Sequence, residues 1–311
     1  MGQEKDLDFI LKSLLAGGVA GMCSKSAVAP LDRIKILLQA HNAHYSHLGV
    51  FSGIREVVRK ESLLALYKGN GAQMVRVFPY AATQFTSFEL YSQMFRNLLG
   101  SQSHLGKLLS GSCAGATAVA LTYPLDTIRA RLAFQVAQRY SGILHAATSI
   151  FKEEGGVRGL YRGFLPTLCG MIPYAGFSFY CFEMFKLFSM KYIPELTCTP
   201  SSRNTGGLAL SIPAKLMCGG FAGAVAQSIS YPLDVTRRRM QLAMMSPETY
   251  KFGRLGMVQT LVLIYREHGV YSGLYRGMSI NYLRAMPMVA VSFSVYELMK
   301  QSLNLDTGLK L

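Results

Sequence analysis

Three times along the chain an acid is followed, three positions on, by a base: Asp32 and Lys35, Asp126 and Arg129, Asp234 and Arg237. On a helix that spacing projects both side chains from nearly one face. Such groups make and break ion pairs rather than covalent bonds. Each pair follows a proline, in PLDRIK at Pro30, PLDTIR at Pro124 and PLDVTR at Pro232. Proline inside a helix removes a backbone hydrogen bond and bends the axis, which tips three helix ends toward one another. A pair satisfied within its own helix is the plainer alternative; the triplication argues for a symmetric closure.

A second constellation is arginine-based. Arg76 and Arg284 lie three residues before Pro79 and Pro287, and Gly170 lies three before Pro173. A charge within an apolar span costs roughly 2.5 to 3.5 kcal/mol on insertion scales, so it faces water or a partner. A guanidinium is a rigid donor fork suited to phosphate, and two of them favour a polyanion. Gly170, followed by Met171, exposes backbone on which a flat ring can lie, although a glycine alone also eases helix packing. Tyr80 and Tyr174, just after the prolines, are candidates for ring contacts, with a lipid-facing or core position as the alternative.

Bond-making chemistry finds no support. No nucleophile–base pair or metal cluster emerges, and Cys23, Cys113, Cys169, Cys181, Cys198 and Cys218 form no CxxC pair. Neither an enzyme nor a metal or other cofactor is expected. Half of the 311 residues are apolar, 16% are charged, glycine occurs 30 times and the net charge is +15, which points to a membrane and a polyanion. The Lys and Arg residues are dispersed and no RNA- or DNA-binding signature accompanies them, so nucleic acid is not the expected partner. The start MGQEKDLDFI lacks a secretory or transit pattern, and Asp6 stands where myristoylation wants Ser or Thr, so the membrane address is expected to be internal.

The elements that position these residues repeat three times. Gly17 and Gly21, Gly111 and Gly115, and Gly219 and Gly223 lie 13 and 9 residues before their prolines. LYKG, LYRG and LYRG place Tyr67, Tyr161 and Tyr275 37, 37 and 43 residues after them. The second prolines follow at spacings of 49, 49 and 55, so the third unit carries a six-residue insertion. Ten residues further on stand Glu89, Glu183 and Glu297. Each unit reads as helix, polar loop with a short amphipathic helix, helix, with repeats at 8–100, 101–195 and 209–304. Uncharged apolar runs occur at 108–125, 163–182 and 216–233, while Lys25, Arg76 and Arg284 interrupt others. Equivalence of the units requires all six helices to cross. The stretch 196–211 reads as a solvated loop, on the same side as both termini because the number of spans is even.

P-x-[DE]-x-x-[KR] three times, each followed by aromatic-[KR]-G, resembles the mitochondrial carrier family over nearly the whole chain. The resemblance implies an all-α membrane protein of six transmembrane helices with pseudo-threefold symmetry and short matrix helices, in the inner membrane with termini toward the intermembrane space, and monomeric. It assigns Asp32, Lys35, Asp126, Arg129, Asp234 and Arg237 to a matrix-side gate, pairing Asp32 with Arg129, Asp126 with Arg237 and Asp234 with Lys35, and Gln39 and Gln241 to its bracing; Ala133 breaks that last pattern. FEMFK and YELMK resemble a cytosolic-side gate, with Glu183, Lys186, Glu297 and Lys300; FELYS supplies Glu89 but Ser92 in place of a base. By the family's pairing Glu89 would meet Lys186 and Glu183 would meet Lys300. Arg76, Gly170 and Met171, and Arg284 match the family's substrate contact points, the glycine accompanying adenine-bearing substrates. Lys68 and Gly69, Arg162 and Gly163, and Arg276 and Gly277 match its cardiolipin sites, where interfacial anchoring is the alternative. The stretches 37–53, 131–136 and 230–242 are similar to a branch whose relatives carry coenzyme A, which implies that molecule or an adenosine bisphosphate as substrate. The two arginines alone are equally compatible with ADP, ATP or thiamine pyrophosphate, and a non-transporting leak protein is the competing class.

Overall fold

The computed structural model describes residues 2–42, 45, 48–99, 104–194, 198–200 and 208–303. In chain order the helices are α1 (Gly2–Gln39), α2 (Val50–Lys60), α3 (Asn70–Leu99), α4 (His104–Phe134), α5 (Ile143–Glu153), α6 (Val157–Leu160), α7 (Phe164–Tyr192), α8 (Ile212–Gln241), α9 (Pro247–Tyr250), α10 (Met257–His268), α11 (Met278–Leu283) and α12 (Ala285–Ser302). Long helices thus alternate with short ones, three times over, and the chain is all-α. One small departure lies in the stretch read as a plain loop: β1 (Cys198–Pro200) pairs antiparallel with β2 (Leu208–Leu210).

Pro30, Pro79, Pro124, Pro173 and Pro232 lie inside α1, α3, α4, α7 and α8. The sixth long helix, expected to be continuous, is divided at Arg284 into α11 and α12. Pro287 has no N–H to offer the carbonyl of Leu283, so helical bonding lapses just where the arginine stands. The short helices are amphipathic: α2 buries Gly53 and Val57 and α5 buries Ala146 and Ile150, each at a four-residue spacing that makes one inward stripe. By length and composition two helical segments, Lys12–Gln39 and Gly106–Phe134, are apolar enough to cross a membrane. Large apolar side chains also stand exposed on other long helices, among them Phe85 and Leu90 on α3, Phe179 and Tyr180 on α7, and Phe293 and Leu298 on α12. Lipid is the solvent in which such faces are stable.

The described residues form two compact units. The first contains Met1–Phe164, Arg238–Leu255 and Ser279–Leu311, the second Leu165–Arg237 and Gly256–Met278. In the first unit the C-terminal ends of α1, α4 and α8 are tied together by three buried arginines. Arg33 Nε donates to the Ala133 carbonyl at 3.0 Å and Nη2 to that of Gln135 at 3.2 Å. Arg131 Nε donates to the Gln241 carbonyl at 3.0 Å, and Arg239 Nε to that of Gln39 at 2.9 Å. Each arginine therefore caps the last turn of the next repeat's helix, where carbonyls have no intrahelical donor and the dipole is negative. The order is cyclic: first repeat to second, second to third, third to first.

Arg33 and Arg131 are anchored in turn by carboxylates. Arg33 Nη2 donates to Glu61 Oε1 at 2.8 Å, and Lys68 Nζ and Tyr45 Oη donate to the same carboxyl at 2.6 and 3.1 Å. Arg131 holds Glu154 with both terminal nitrogens, and Arg162 adds a bond at 2.7 Å. Burial pushes the Glu61 carboxyl up, but Lys68 and Arg33 outweigh it and hold the group below its ordinary range. Burial and Glu61 push the Tyr45 hydroxyl up to about 12. A depressed carboxylate stabilises the fold above the unfolded value and ceases to do so as pH falls through the folded one. The melting temperature is accordingly expected to drop as pH is lowered below about 4, and Glu61→Gln, already without that contribution, should lose less over the same interval; equal acid sensitivity in the two proteins would contradict the role given to Glu61.

Candidate functional site

Pro30 and Pro124 lie inside α1 and α4, and the aspartates two residues on are buried. Asp32 and Asp126 are 5% and 1% exposed, although each is charged and lies on an apolar helix. Burial at that depth requires compensation, which every carboxylate oxygen receives. Asp32 Oδ2 accepts from Arg129 Nη2 at 2.5 Å and Oδ1 from Arg284 Nη1 at 2.7 Å. Asp126 Oδ1 accepts from Arg76 Nη1 at 3.3 Å, and Oδ2 from Gln241 Nε2 at 3.0 Å with Arg238 Nη1 at 3.9 Å. Lys35 Nζ donates to Asn281 Oδ1 at 3.0 Å, an oxygen that also accepts from Arg284 Nε at 3.0 Å. Gln39 is fully buried, and its carbonyl receives Arg239.

Arg76 and Arg284, read from sequence as substrate ligands, are thus joined to the very aspartates read as gate residues. Arg76 also donates to Thr122 Oγ1 at 3.2 Å, and its guanidinium lies 5.2 Å from the ring centroid of Tyr80. In the second unit Gly170, Met171 and Tyr174 line a cavity of about 160 Å³ together with Gln227, Ser230, Asp234 and Arg237. A Cβ placed on Gly170 would come 3.5 Å from Leu233 Cβ, an ordinary contact distance. Helix packing therefore does not demand a glycine there; its effect is to leave the cavity open.

The charges near the C-terminal ends of α3, α7 and α12 are arranged otherwise. Lys186 Nζ lies 3.3 Å from Glu183 of its own helix, not across to a neighbour, and Lys300 Nζ stands 5.0 Å from the centre of the Tyr296 ring. Glu89 and Glu183 are exposed and Glu297 half-buried. Asp32 and Asp126 are thus buried and bonded on both oxygens, whereas Glu89 and Glu183 face the surroundings.

The three basic-glycine motifs lead directly into α3, α7 and α11. Gly69, Gly163 and Gly277 have φ of 85°, 80° and 81°, a backbone that admits glycine readily, and a Cβ on Gly69 would meet the Arg129 carbonyl at 2.8 Å. The turns are pinned by the tyrosines preceding the first prolines: Tyr123 Oη donates to the Arg162 carbonyl at 3.0 Å and Tyr231 Oη to that of Arg276 at 2.8 Å. Lys68 and Gly69 line a cavity of about 380 Å³ with Gly71, Ala72, Tyr140, Ser141 and Gly142. The N-termini of α3 and α5 both border it, and their first-turn amides have no intrahelical acceptor, a setting for a phosphate. Lys68 and Arg162 spend their charge on Glu61 and Glu154, so backbone amides are the larger donor resource.

Sequence reasoning passed over Arg33, Arg131 and Arg239, the Tyr140-Ser141-Gly142 turn, and Gln227 and Ser230. An aromatic residue followed by Ser-Gly directly before a short amphipathic helix was the available signal for the second of these. Among the described residues no cluster of three metal-binding side chains occurs.

Residues 7–98, 100–192 and 209–307 each match the mitochondrial carrier protein family. The chain is 54% identical over 298 residues to solute carrier family 25 member 16 of Bos taurus, the Graves disease carrier, covering 95% of this chain and 90% of that one. It is 40% identical over 315 residues to mitochondrial carrier protein CoAc1 of Arabidopsis thaliana, covering 94% and 90% respectively. With mitochondrial coenzyme A transporter SLC25A42 of Homo sapiens the identity is 39% over 304 residues, 96% of this chain and 90% of the relative.

Proposed function

The chain belongs to the mitochondrial carrier family, and from that premise we propose that it exchanges coenzyme A, or a related adenine nucleotide such as adenosine 3',5'-bisphosphate, across the inner mitochondrial membrane by alternating access. Members of the family are multi-pass transporters of that membrane and not enzymes. The observation that carries the substrate reading is the register three residues before each second proline: arginine, glycine, arginine, with the glycine opening a cavity. Arg76 and Arg284 are the phosphate ligands in this reading, with Tyr80 beside the first. Gly170, Met171 and Tyr174 take the adenine ring. The relatives named as a coenzyme A transporter and as CoAc1 support the choice among adenine-bearing anions.

In the same reading Asp32, Lys35, Asp126, Arg129, Asp234 and Arg237, braced by Gln39 and Gln241, close the matrix side. Glu89, Glu183, Lys186, Glu297 and Lys300 close the cytosolic side, weakly, because Ser92 leaves Glu297 without an ionic partner. Solvated pairs of this kind contribute about 0 to 1 kcal/mol each, so substrate binding can shift the balance. Cardiolipin phosphate is the proposed occupant of the cavity at Lys68, Gly69 and Tyr140, with Arg162 and Gly163, and Arg276 and Gly277, as its counterparts in the other repeats. The termini face the intermembrane space and the carrier acts as a monomer.

Uptake of labelled coenzyme A by proteoliposomes preloaded with coenzyme A or adenosine 3',5'-bisphosphate tests the assignment. Exchange of ADP, ATP or thiamine pyrophosphate in its place would move the protein to another phosphorylated anion, and no exchange at all would favour the leak reading. Gly170→Arg supplies the side chain that the other two repeats carry and fills the 160 Å³ cavity. It is expected to lower coenzyme A exchange more than about tenfold by steric exclusion of the ring; wild-type exchange would remove Gly170 from the site.

A further inference from the structure

One register, three residues before the second proline of each repeat, meets the PLD aspartate of the following repeat twice. Arg284 Nη1 holds Asp32 Oδ1 at 2.7 Å, and Arg76 Nη1 holds Asp126 Oδ1 at 3.3 Å. At the third occurrence the residue is Gly170, and it lines the same cavity as Asp234. The two guanidinium groups assigned to substrate phosphate therefore already carry a counter-ion. That counter-ion is a carboxylate of the charge set that closes the carrier.

Each of these aspartates is held on its other oxygen by a different donor. Asp32 keeps Arg129 at 2.5 Å, and Asp126 keeps Gln241 at 3.0 Å and Arg238 at 3.9 Å. Departure of Arg284 or Arg76 would leave neither carboxylate stranded, which is the costly event for a buried charge. Side chains of Arg284 and Arg76 are 27% and 21% exposed against 7% and 2% for the aspartates. The more exposed partner of each pair is thus the arginine. A phosphate offers it more charge and more acceptor oxygens than the carboxylate does.

We propose that Asp32 and Asp126 are specificity-determining residues, which compete with the substrate's anionic groups for Arg284 and Arg76. A ligand with one phosphate can displace one aspartate and leaves the other in place. A ligand with two or more displaces both, and in doing so removes two bonds from the closed charge set. Selection for a polyanion and release of the closure are then the same event. The inference rests on the assignment of Arg76 and Arg284 as phosphate ligands.

The purified full-length protein in detergent is titrated calorimetrically with adenosine 3',5'-bisphosphate, adenosine 5'-monophosphate and inorganic pyrophosphate. Asp32→Asn and Asp126→Asn are each expected to bind the bisphosphate roughly two- to fivefold more tightly than wild type, the scale of one partly hydrated ion pair. The monophosphate should gain more than the bisphosphate, so that discrimination between them narrows. Adding Arg284→Gln to Asp32→Asn should abolish the gain, because Asp32 acts through that arginine. Unchanged or weaker affinity in both Asn variants, each melting cooperatively, overturns the proposal. If wild type binds pyrophosphate but not the bisphosphate, the adenine assignment falls and the competition is read from pyrophosphate with the same variants; if it binds neither, both the phosphate assignment and the competition are wrong.

Discussion

Arg284→Ala is expected to reduce coenzyme A exchange in proteoliposomes by about 30- to 1,000-fold, the loss that follows when one partner of a desolvated charge pair is truncated. Two contributions act together. The substrate loses a guanidinium fork, and Asn281 loses one of its two cations. Arg284→Lys retains a point charge without the fork and should fall between wild type and Ala. The measurement is the initial exchange rate at several external concentrations, because the loss of a phosphate ligand raises KM as well as lowering kcat. Should Arg284→Ala exchange at a rate within about threefold of wild type, the residue would not be a substrate ligand and the reading built on it would fail.

The largest effect on stability is expected at Arg131. Its side chain is fully buried, it holds Glu154 with two nitrogens, and it reaches the carbonyls of Gln241 and Ala243. Arg131→Leu leaves a buried carboxylate with Arg162 alone and uncaps the last turn of α8. The cost of such a removal is about 3 to 5 kcal/mol, or a fall on the order of 10 °C in melting temperature. Glu154→Leu added to it takes away the stranded charge and should recover much of that loss. A single variant melting within about 2 °C of wild type would show that the ring contributes little.

Much of this architecture was legible because it is written three times. Pro30, Pro124 and Pro232 with their aspartates, the paired glycines and the basic-glycine turns fixed the repeat, hence the helix order, from spacing alone. Hydropathy would not have done so: among the described residues two helical segments pass by length and composition, while Arg76 and Arg284 interrupt two of the others. The arginine ring escaped for a specific reason. Arg131 and Arg239 stand seven residues after their prolines, whereas the first repeat has Leu37 there and places its arginine at Arg33, three after Pro30. A register search finds two members and discards the third, yet on the folded chain all three reach the neighbouring helix end. The division of the last helix at Arg284 and the strand pair flanking residues 201–207 were likewise invisible, the first because Pro79 at the same spacing leaves α3 continuous. Arg76 and Arg284 are legible in sequence as charges needing a partner; that the partners are Asp126 and Asp32 is set by the fold, which brings together residues 50 and 252 positions apart.

Between neighbouring repeats, the acceptors of the arginine ring are peptide carbonyls at positions 39, 133, 135, 241 and 243, while Glu61 and Glu154 anchor Arg33 and Arg131 from within their own repeats. A carbonyl is common to every amino acid, so mutation at these positions leaves the bonds available as long as the local turn survives. Correlated change is expected only at the carboxylate anchors, Glu61 with Arg33 and Glu154 with Arg131, and not across the helix ends that the carbonyls join. The bonds between repeats are therefore silent to comparative statistics, and deep mutational scanning should find substitutions at Arg33, Arg131 and Arg239 more damaging than substitutions at 133 and 135 that keep the local turn and its burial.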